Sequence, residues 1–207
     1  MEDVLEVYAL PYDADIPVVC MDEQPFQLLG EKLKPIAMKP GKPRKEDYEY
    51  IRNGVCSIFV FTEPLANWRH VHASQRRTKK DWALHIRELL EVHYPRAKKI
   101  RLVMDNLNTH SISSLYETFP PEIALRLARR LEIHYTPKHG SWLNIAEIEL
   151  NALAKQCLDR RIPDLDSLQS QLAPWESYRN AASKSVDWHF TTDDARDKLK
   201  WLYPKLQ

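Results

Sequence analysis

The chain has 207 residues, 43% of them hydrophobic, and a net charge of +1, enough to bury one enzyme-sized core with an appendage. No run approaches the roughly 18 apolar residues of a membrane span, and Met1-Glu2-Asp3 opens an acidic segment where a signal peptide is basic, so a cytoplasmic protein is expected. Cys20, Cys56 and Cys157 read as reduced, buried thiols, and the eight histidines show no zinc spacing.

Residues 1 to 25 hold seven acids and no Lys or Arg, which leaves +8 on the remainder and makes it basic enough to approach a polyanion. Residues 17 to 21 form a short apolar strand that ends at Asp22, and the stretch near 26 to 34 reads as its hairpin partner. Residues 35 to 47 place Pro35, Pro40, Gly41 and Pro43 among lysines, the pattern of a mobile basic loop. The Asn53-Gly54 pair marks a turn before a strand over Val55 to Thr62, and Asn67 to Ser74 makes a third strand. Arg76-Arg77-Thr78-Lys79-Lys80 follows as a second basic run. Both runs suit phosphate contacts, although a charge run taken alone is more often a solvated face or loop. Trp82, Ala83, Ile86, Leu89 and Leu90 give a helix over Lys80 to Tyr94, which Pro95 stops. Ile100 to Met104 is a fourth strand, Pro121 to Leu131 a helix and Ile133 to Tyr135 a fifth strand. A further helix begins near Trp142 with Ser141 as N-cap. Beyond residue 160, Leu165, Leu168, Leu172 and Trp175 form a helical stripe, and Thr191 with Asp194 resembles a capping box before Ala195, Leu199 and Leu202.

Three carboxylates stand out against this pattern. Asp22 and Asp105 follow apolar strands, where open α/β sheets place ligands, although an Asp there also starts turns or caps helices. The segment Asp105-Asn106-Leu107-Asn108-Thr109-His110-Ser111 concentrates side chains able to orient a carboxylate or phosphate. Glu23 points away from Asp22 by strand alternation and is not a ligand candidate. At about 100° per residue, Glu147 falls inside the stripe of Leu143, Leu150, Ala154 and Leu158, whereas Glu149 lies at its border. A carboxylate on a buried face requires a cation or strong donors, unless it reaches solvent or an Arg. Rigidly held carboxylates are what a two-cation phosphodiester site needs.

Asp22-Glu23, Asp105-Asn106 with His110, and the long block from Tyr135 through Thr136-Pro137-Lys138-His139-Gly140-Ser141-Trp142-Leu143-Asn144-Ile145-Ala146 to Glu147 resemble the catalytic motifs of bacterial insertion-sequence transposases of the mariner-related superfamily. The likeness spans about residues 16 to 160 by motif and extends to Trp188-His189-Phe190-Thr191-Thr192. It implies an RNase H-like α/β fold: a mixed five-stranded sheet flanked by helices over residues 1 to 160, and a helical C-terminal extension over 161 to 207. It also implies that Asp22, Asp105 and Glu147 bind two Mg²⁺ or Mn²⁺ ions. The partners implied are the DNA ends of a mobile element and a TA-containing target, handled by a homodimer in a nucleoid-associated setting, with no membrane and no small-molecule cofactor. Asn106, His110, His139 and Asn144 are candidates to support the ligands or touch phosphate, and helix-start or loop roles are open for the histidines and Asn144. Arg76, Arg77, Lys79 and Lys80 are candidates for DNA contact. Trp142 is expected to pack under the site in preference to stacking on a displaced base. Relatives carry a helix-turn-helix segment ahead of the catalytic domain, and here the first carboxylate arrives at residue 22, so that segment is expected to be absent. Two alternatives are an RNase H-like nuclease that does not transpose, and a non-catalytic DNA-binding or regulatory remnant.

Overall fold

The computed structural model describes residues 1–203 apart from residues 44, 46, 139, 183–185 and 187. Strands β1 (Val18–Glu31), β2 (Tyr50–Glu63), β3 (Trp68–Ser74), β4 (Ile100–Met104) and β5 (Leu131–Tyr135) form one mixed sheet. Its order is β3-β2-β1-β4-β5. The first three strands pair antiparallel, whereas β1–β4 and β4–β5 are parallel. Parallel neighbours need crossovers, which are supplied by α2 (Lys79–Glu88) before β4, then by α3 (Ile112–Thr118) and α4 (Pro121–Ala128) before β5. Helices α1 (Glu2–Tyr8), α5 (Ala146–Gln156), α6 (Leu165–Ala181) and α7 (Thr192–Lys198) complete the chain.

The first hairpin differs from the sequence expectation. β1 runs unbroken through Asp22 and Pro25 to Glu31, and its partner is β2, from Cys20 opposite Thr62 to Glu31 opposite Tyr50. Pro25 is tolerated because β4 pairs with β1 only as far as Cys20, so the strand is an edge beyond that point. Asn53-Gly54 is not a turn. The pair lies inside β2 near a register shift between Leu28 and Leu29, where Gly54 takes a φ of 110° open to glycine. β2 is buried from Cys56 to Glu63 and exposed from Tyr50 to Val55, so the hairpin projects beyond the core. Arg161 pins that arm through Glu31 at 2.6 Å and the Asp47 and Glu49 carbonyls. Two isolated bridges, Ile36 with Lys45 and Lys39 with Lys42, fold the basic loop at its tip.

Apolar side chains from both faces fill the core. Met21, Phe59, Phe61 and Leu102 meet Trp82 and Ile86 of α2, Leu115 of α3 and Leu127 of α4. On the opposite face Ile58, Val60 and Val71 meet Leu153 of α5 and Leu172 of α6. A third cluster joins Val4 and Leu5 of α1 to Cys20, Val103, Ile145 and Ala195. The three thiols are free and buried. Among the described residues no helix is long and apolar enough to cross a membrane.

Helix boundaries follow local chemistry. α2 starts at a capping box in which Thr78 and Asp81 exchange hydrogen bonds, and Thr191 with Asp194 does the same for α7, as its sequence indicates. Thr78→Ala is expected to lower unfolding stability by about 1 kcal/mol, measured by urea denaturation. α3 escapes the periodic pattern because it is short and buries only Ser114 and Leu115. α4 stops at Ala128, before the chain enters β5 at Leu131.

α6 lies along the outer edge of β3. The outward amides of Arg69, Val71 and Ala73 donate to Asn180 Oδ1, Glu176 Oε2 and Gln169 Oε1 at 2.9, 2.8 and 3.0 Å. Asn180 Nδ2 returns a bond to the Arg69 carbonyl at 2.9 Å.

Candidate active site

β1 and β4 run parallel with Cys20 opposite Val103. Two residues further on, each chain presents an aspartate, Asp22 and Asp105, at the same end of the pair. Asp105 leaves the last residue of β4. Asp22 is within β1, not at its end as its sequence suggests, but at the point where the strand has lost its β4 neighbour. Asp22 stands opposite Val60, whose side chain faces α5 and α6.

Asn144 joins that strand to the helix beside it. Its Nδ2 donates to the Met21 carbonyl at 2.8 Å and to Asp22 Oδ2 at 3.3 Å, while its Oδ1 accepts from Ala146 N at 3.2 Å. α5 therefore starts at a fixed place, with Glu147 in its first turn. Ser141 is not the cap of this helix: Ser141–Leu143 forms a separate 3-10 turn. A Cβ at Gly140, just before that turn, would meet Pro137 Cγ at 2.6 Å, which makes the glycine obligatory. Asn144→Ala is expected to cost about 1–3 kcal/mol in urea unfolding, because the buried Met21 carbonyl loses a donor and α5 its anchor.

Burial pushes the Asp22 carboxyl up to about 7, and repulsion from Asp105, Glu23 and Glu147 adds to it, against a hydrogen bond from Glu23 N. All three acids singled out from the sequence therefore converge on one place. Burial also works to raise Asp105, but the hydrogen bond and charge of His110 outweigh it and hold that carboxyl below its ordinary value. His110 is buried at 1% exposure, with Nδ1 2.6 Å from Asp105 Oδ1 and Nε2 3.0 Å from Glu23 Oε2. Burial alone lowers the imidazole, yet the two carboxylates raise it to about 9. Asp105, Asn106, Thr136, Lys138 and Ser141 line an open cleft of about 660 Å³ beside it. A donor set of carboxylate oxygens, with one carboxyl driven toward neutrality by burial and then by its like-charged neighbours, suits a hard divalent cation such as Mg²⁺ or Mn²⁺.

A family profile described as DDE superfamily endonuclease matches residues 17–169. The chain belongs to the DDE superfamily of endonucleases. No curated protein matches this DDE domain in sequence. Among solved structures it is similar to the Mos1 mariner paired end complex with Mn, at 16% identity and a TM-score of 0.57 over 84% of this chain and 52% of that one. The Mos1 strand transfer complex gives 14% identity and a TM-score of 0.54 over 79% and 48% of the two chains. A pre-cleavage Mos1 transpososome gives 15% and 0.52 over 82% and 49%. The DDE domain thus spans about half the length of these chains. At such identities the likeness establishes the fold, which is the RNase H-like mixed five-stranded sheet expected from the sequence.

The remaining site residues of the DDE domain are more scattered. Asn106 is exposed at the cleft. Trp142 is 44% exposed and meets Phe190 edge-on at 5.5 Å, so the expectation of core packing is corrected. It lies on the 3-10 turn ahead of α5, whose phase differs from that of the helix. Arg76 and Lys80 are exposed, Arg77 lies 3.9 Å from Glu23, and Lys79 pairs with Glu117 at 2.6 Å. His139 lies outside the described residues.

The border position assigned to Glu149 is also corrected. It is 1% exposed, and its oxygens meet Arg69 Nε at 3.0 Å and Arg179 Nη2 at 3.0 and 3.1 Å. The helical phase fails because Leu143 precedes the helix. Counted from the buried Leu150, Leu153 and Cys157 alone, at about 100° per residue, the two glutamates flank the stripe on opposite sides, with Glu149 the nearer to its edge and turned to the buried Arg69, and Glu147 half-buried on the other flank. Arg69, itself 2% exposed, carried no signal beyond being a cation in an apolar strand.

Proposed function

We propose that this DDE domain is the catalytic domain of a transposase, cutting DNA strands and joining them to a target by in-line phosphoryl transfer. The observation that carries the reading is the convergence of Asp22, Asp105 and Glu147 from β1, the end of β4 and the first turn of α5, where Asp105 and Glu147 are close enough to add to the burial that raises Asp22. These carboxylates hold two Mg²⁺ or Mn²⁺ ions, which when bound activate the attacking hydroxyl and stabilise the leaving oxygen. The chain's own contribution is placement. His110 donates to Asp105 and keeps it ionised, so it acts as a positioning residue. Asn144 orients Asp22 and fixes the start of α5. Arg76, Arg77 and Lys80, with the basic loop after β1, contact DNA phosphates without reading sequence. One solved structure of similar fold is the Mos1 paired end complex with Mn, and by analogy the partners are element ends and a TA-containing target, held by a dimer.

Electron paramagnetic resonance titration of Mn²⁺ into the wild type and Asp105→Asn, with and without duplex DNA, tests the assignment. Binding in the wild type that weakens at least tenfold in the variant is the expected result. Equal binding in both proteins, or none in either, would overturn it. Incubation with pre-cut ends and a target duplex then separates the activities: joined product is expected, and hydrolysis without joining would leave a nuclease.

A further inference from the structure

A second set of metal-competent side chains gathers on the other face of the sheet. Asp22, Val60 and Val71 stand in register across β1, β2 and β3. Strand alternation therefore turns His70 and His72, which flank Val71, away from Asp22 and toward α2. α2 ends at Glu88 and the chain continues through a wider π turn, Leu89–His93, a feature that commonly re-aims side chains at functional positions. His93 is thereby brought alongside His70, with ring centroids 4.4 Å apart. One donor atom from each of His70, Glu88 and His93 lies within 4.8 Å of the other two.

Hydrogen bonding separates this cluster from ordinary packed histidines. Glu176 Oε2, which accepts from Val71 N at 2.8 Å, also lies 3.2 Å from His70 Nδ1. A carboxylate at Nδ1 fixes the proton there and leaves Nε2 as a lone-pair donor, the arrangement that supports metal-bound imidazoles. That Nε2 is buried with no hydrogen-bond partner, and so is Nε2 of His93. Two orphaned ring nitrogens beside a carboxylate are costly unless a shared ligand satisfies them.

We propose that His70, Glu88 and His93 form a site for one zinc-class divalent transition metal, separate from the three carboxylates. Two imidazole nitrogens and one carboxylate oxygen match the borderline preference of Zn²⁺, with water in the fourth position. Donors bound at about 2.0–2.1 Å in a tetrahedron stand about 3.4 Å apart, so small rotations of both imidazoles and of Glu88, whose side chain is 40% exposed, bring the three atoms in from their present separations within 4.8 Å. Occupied, the site ties β3 to the end of α2 and, through Glu176, to α6. The 23-residue step from His70 to His93 hides it from any reading of local spacing.

The test uses the full chain carrying Asp105→Asn, so that the carboxylate triad does not compete, stripped with chelator and titrated with Zn²⁺ and with Co²⁺. One equivalent bound at micromolar affinity or tighter is expected, with the intense visible absorption of tetrahedral Co²⁺ and a rise in Tm. Adding His93→Gln or Glu88→Gln should weaken binding at least tenfold and abolish the absorption. The partly exposed Glu88 serves as the variant expected to fold, checked by circular dichroism. No binding in the parent, or unchanged affinity in Glu88→Gln and His93→Gln, would overturn the proposal.

Discussion

Asp22→Asn is expected to abolish metal-dependent strand cleavage, by on the order of a thousandfold or more, while making the metal-free protein more stable at neutral pH. The two effects share one cause. Folding raises this carboxyl from its ordinary 3.8 to about 7, chiefly by burial and then by Asp105, Glu23 and Glu147. A raised carboxyl favours the native state while it is protonated, below about pH 4, and loses that contribution as the pH climbs through 7. The amide variant cannot ionise, so its advantage over the wild type grows from nothing near pH 4 to a few kcal/mol above pH 7. Urea denaturation at both pH values in chelator measures the difference. Saturating Mn²⁺ should reverse the ranking, because only the wild type gains from the ion. A variant that cleaves normally, or a gap that does not depend on pH, would remove Asp22 from the centre of the site.

The largest loss of stability is expected at Glu149, away from the chemistry. This carboxylate is 1% exposed and neutralises Arg69, itself 2% exposed, together with Arg179. Removing one partner strands a buried guanidinium, so Glu149→Ala should cost about 3–5 kcal/mol, enough to unfold a marginal domain. Glu149→Gln keeps the shape and an acceptor and should cost less. Thermal melts of the two variants beside Glu147→Ala separate the roles: Glu147, half-buried on the flank of α5, should barely change Tm while eliminating cleavage. If Glu147→Ala and Glu149→Ala lost stability alike, the division between a reactive and a structural glutamate would be wrong.

The contrast between those two glutamates shows where sequence reading succeeds. Both aspartates were visible because each follows an apolar run and alternation separates Asp22 from Glu23. β4 was located residue for residue, since five apolar-rich positions between Lys99 and Asp105 admit little else. What failed depended on tertiary context. Pro25 and the acids before it look like a strand end, yet they are accommodated because β4 stops pairing at Cys20. The helical phase at Glu147 and Glu149 was misjudged because a 3-10 turn precedes α5, and no local pattern distinguishes such a turn from the helix it leads into. The sequence shows His110 only as polar company for Asp105, and its burial between two carboxylates requires knowing that β1 and β4 are neighbours.

The bonds that α6 makes along β3 also dictate an order of events when the chain is synthesised. Ala73 waits for Gln169, and Arg69 for Asn180, 96 and 111 residues later. Until those side chains emerge, the outermost strand displays a row of unsatisfied amides, the template on which nascent chains pair with one another. α6 therefore acts as a guard for β3, and yields of soluble protein should depend on how quickly it arrives.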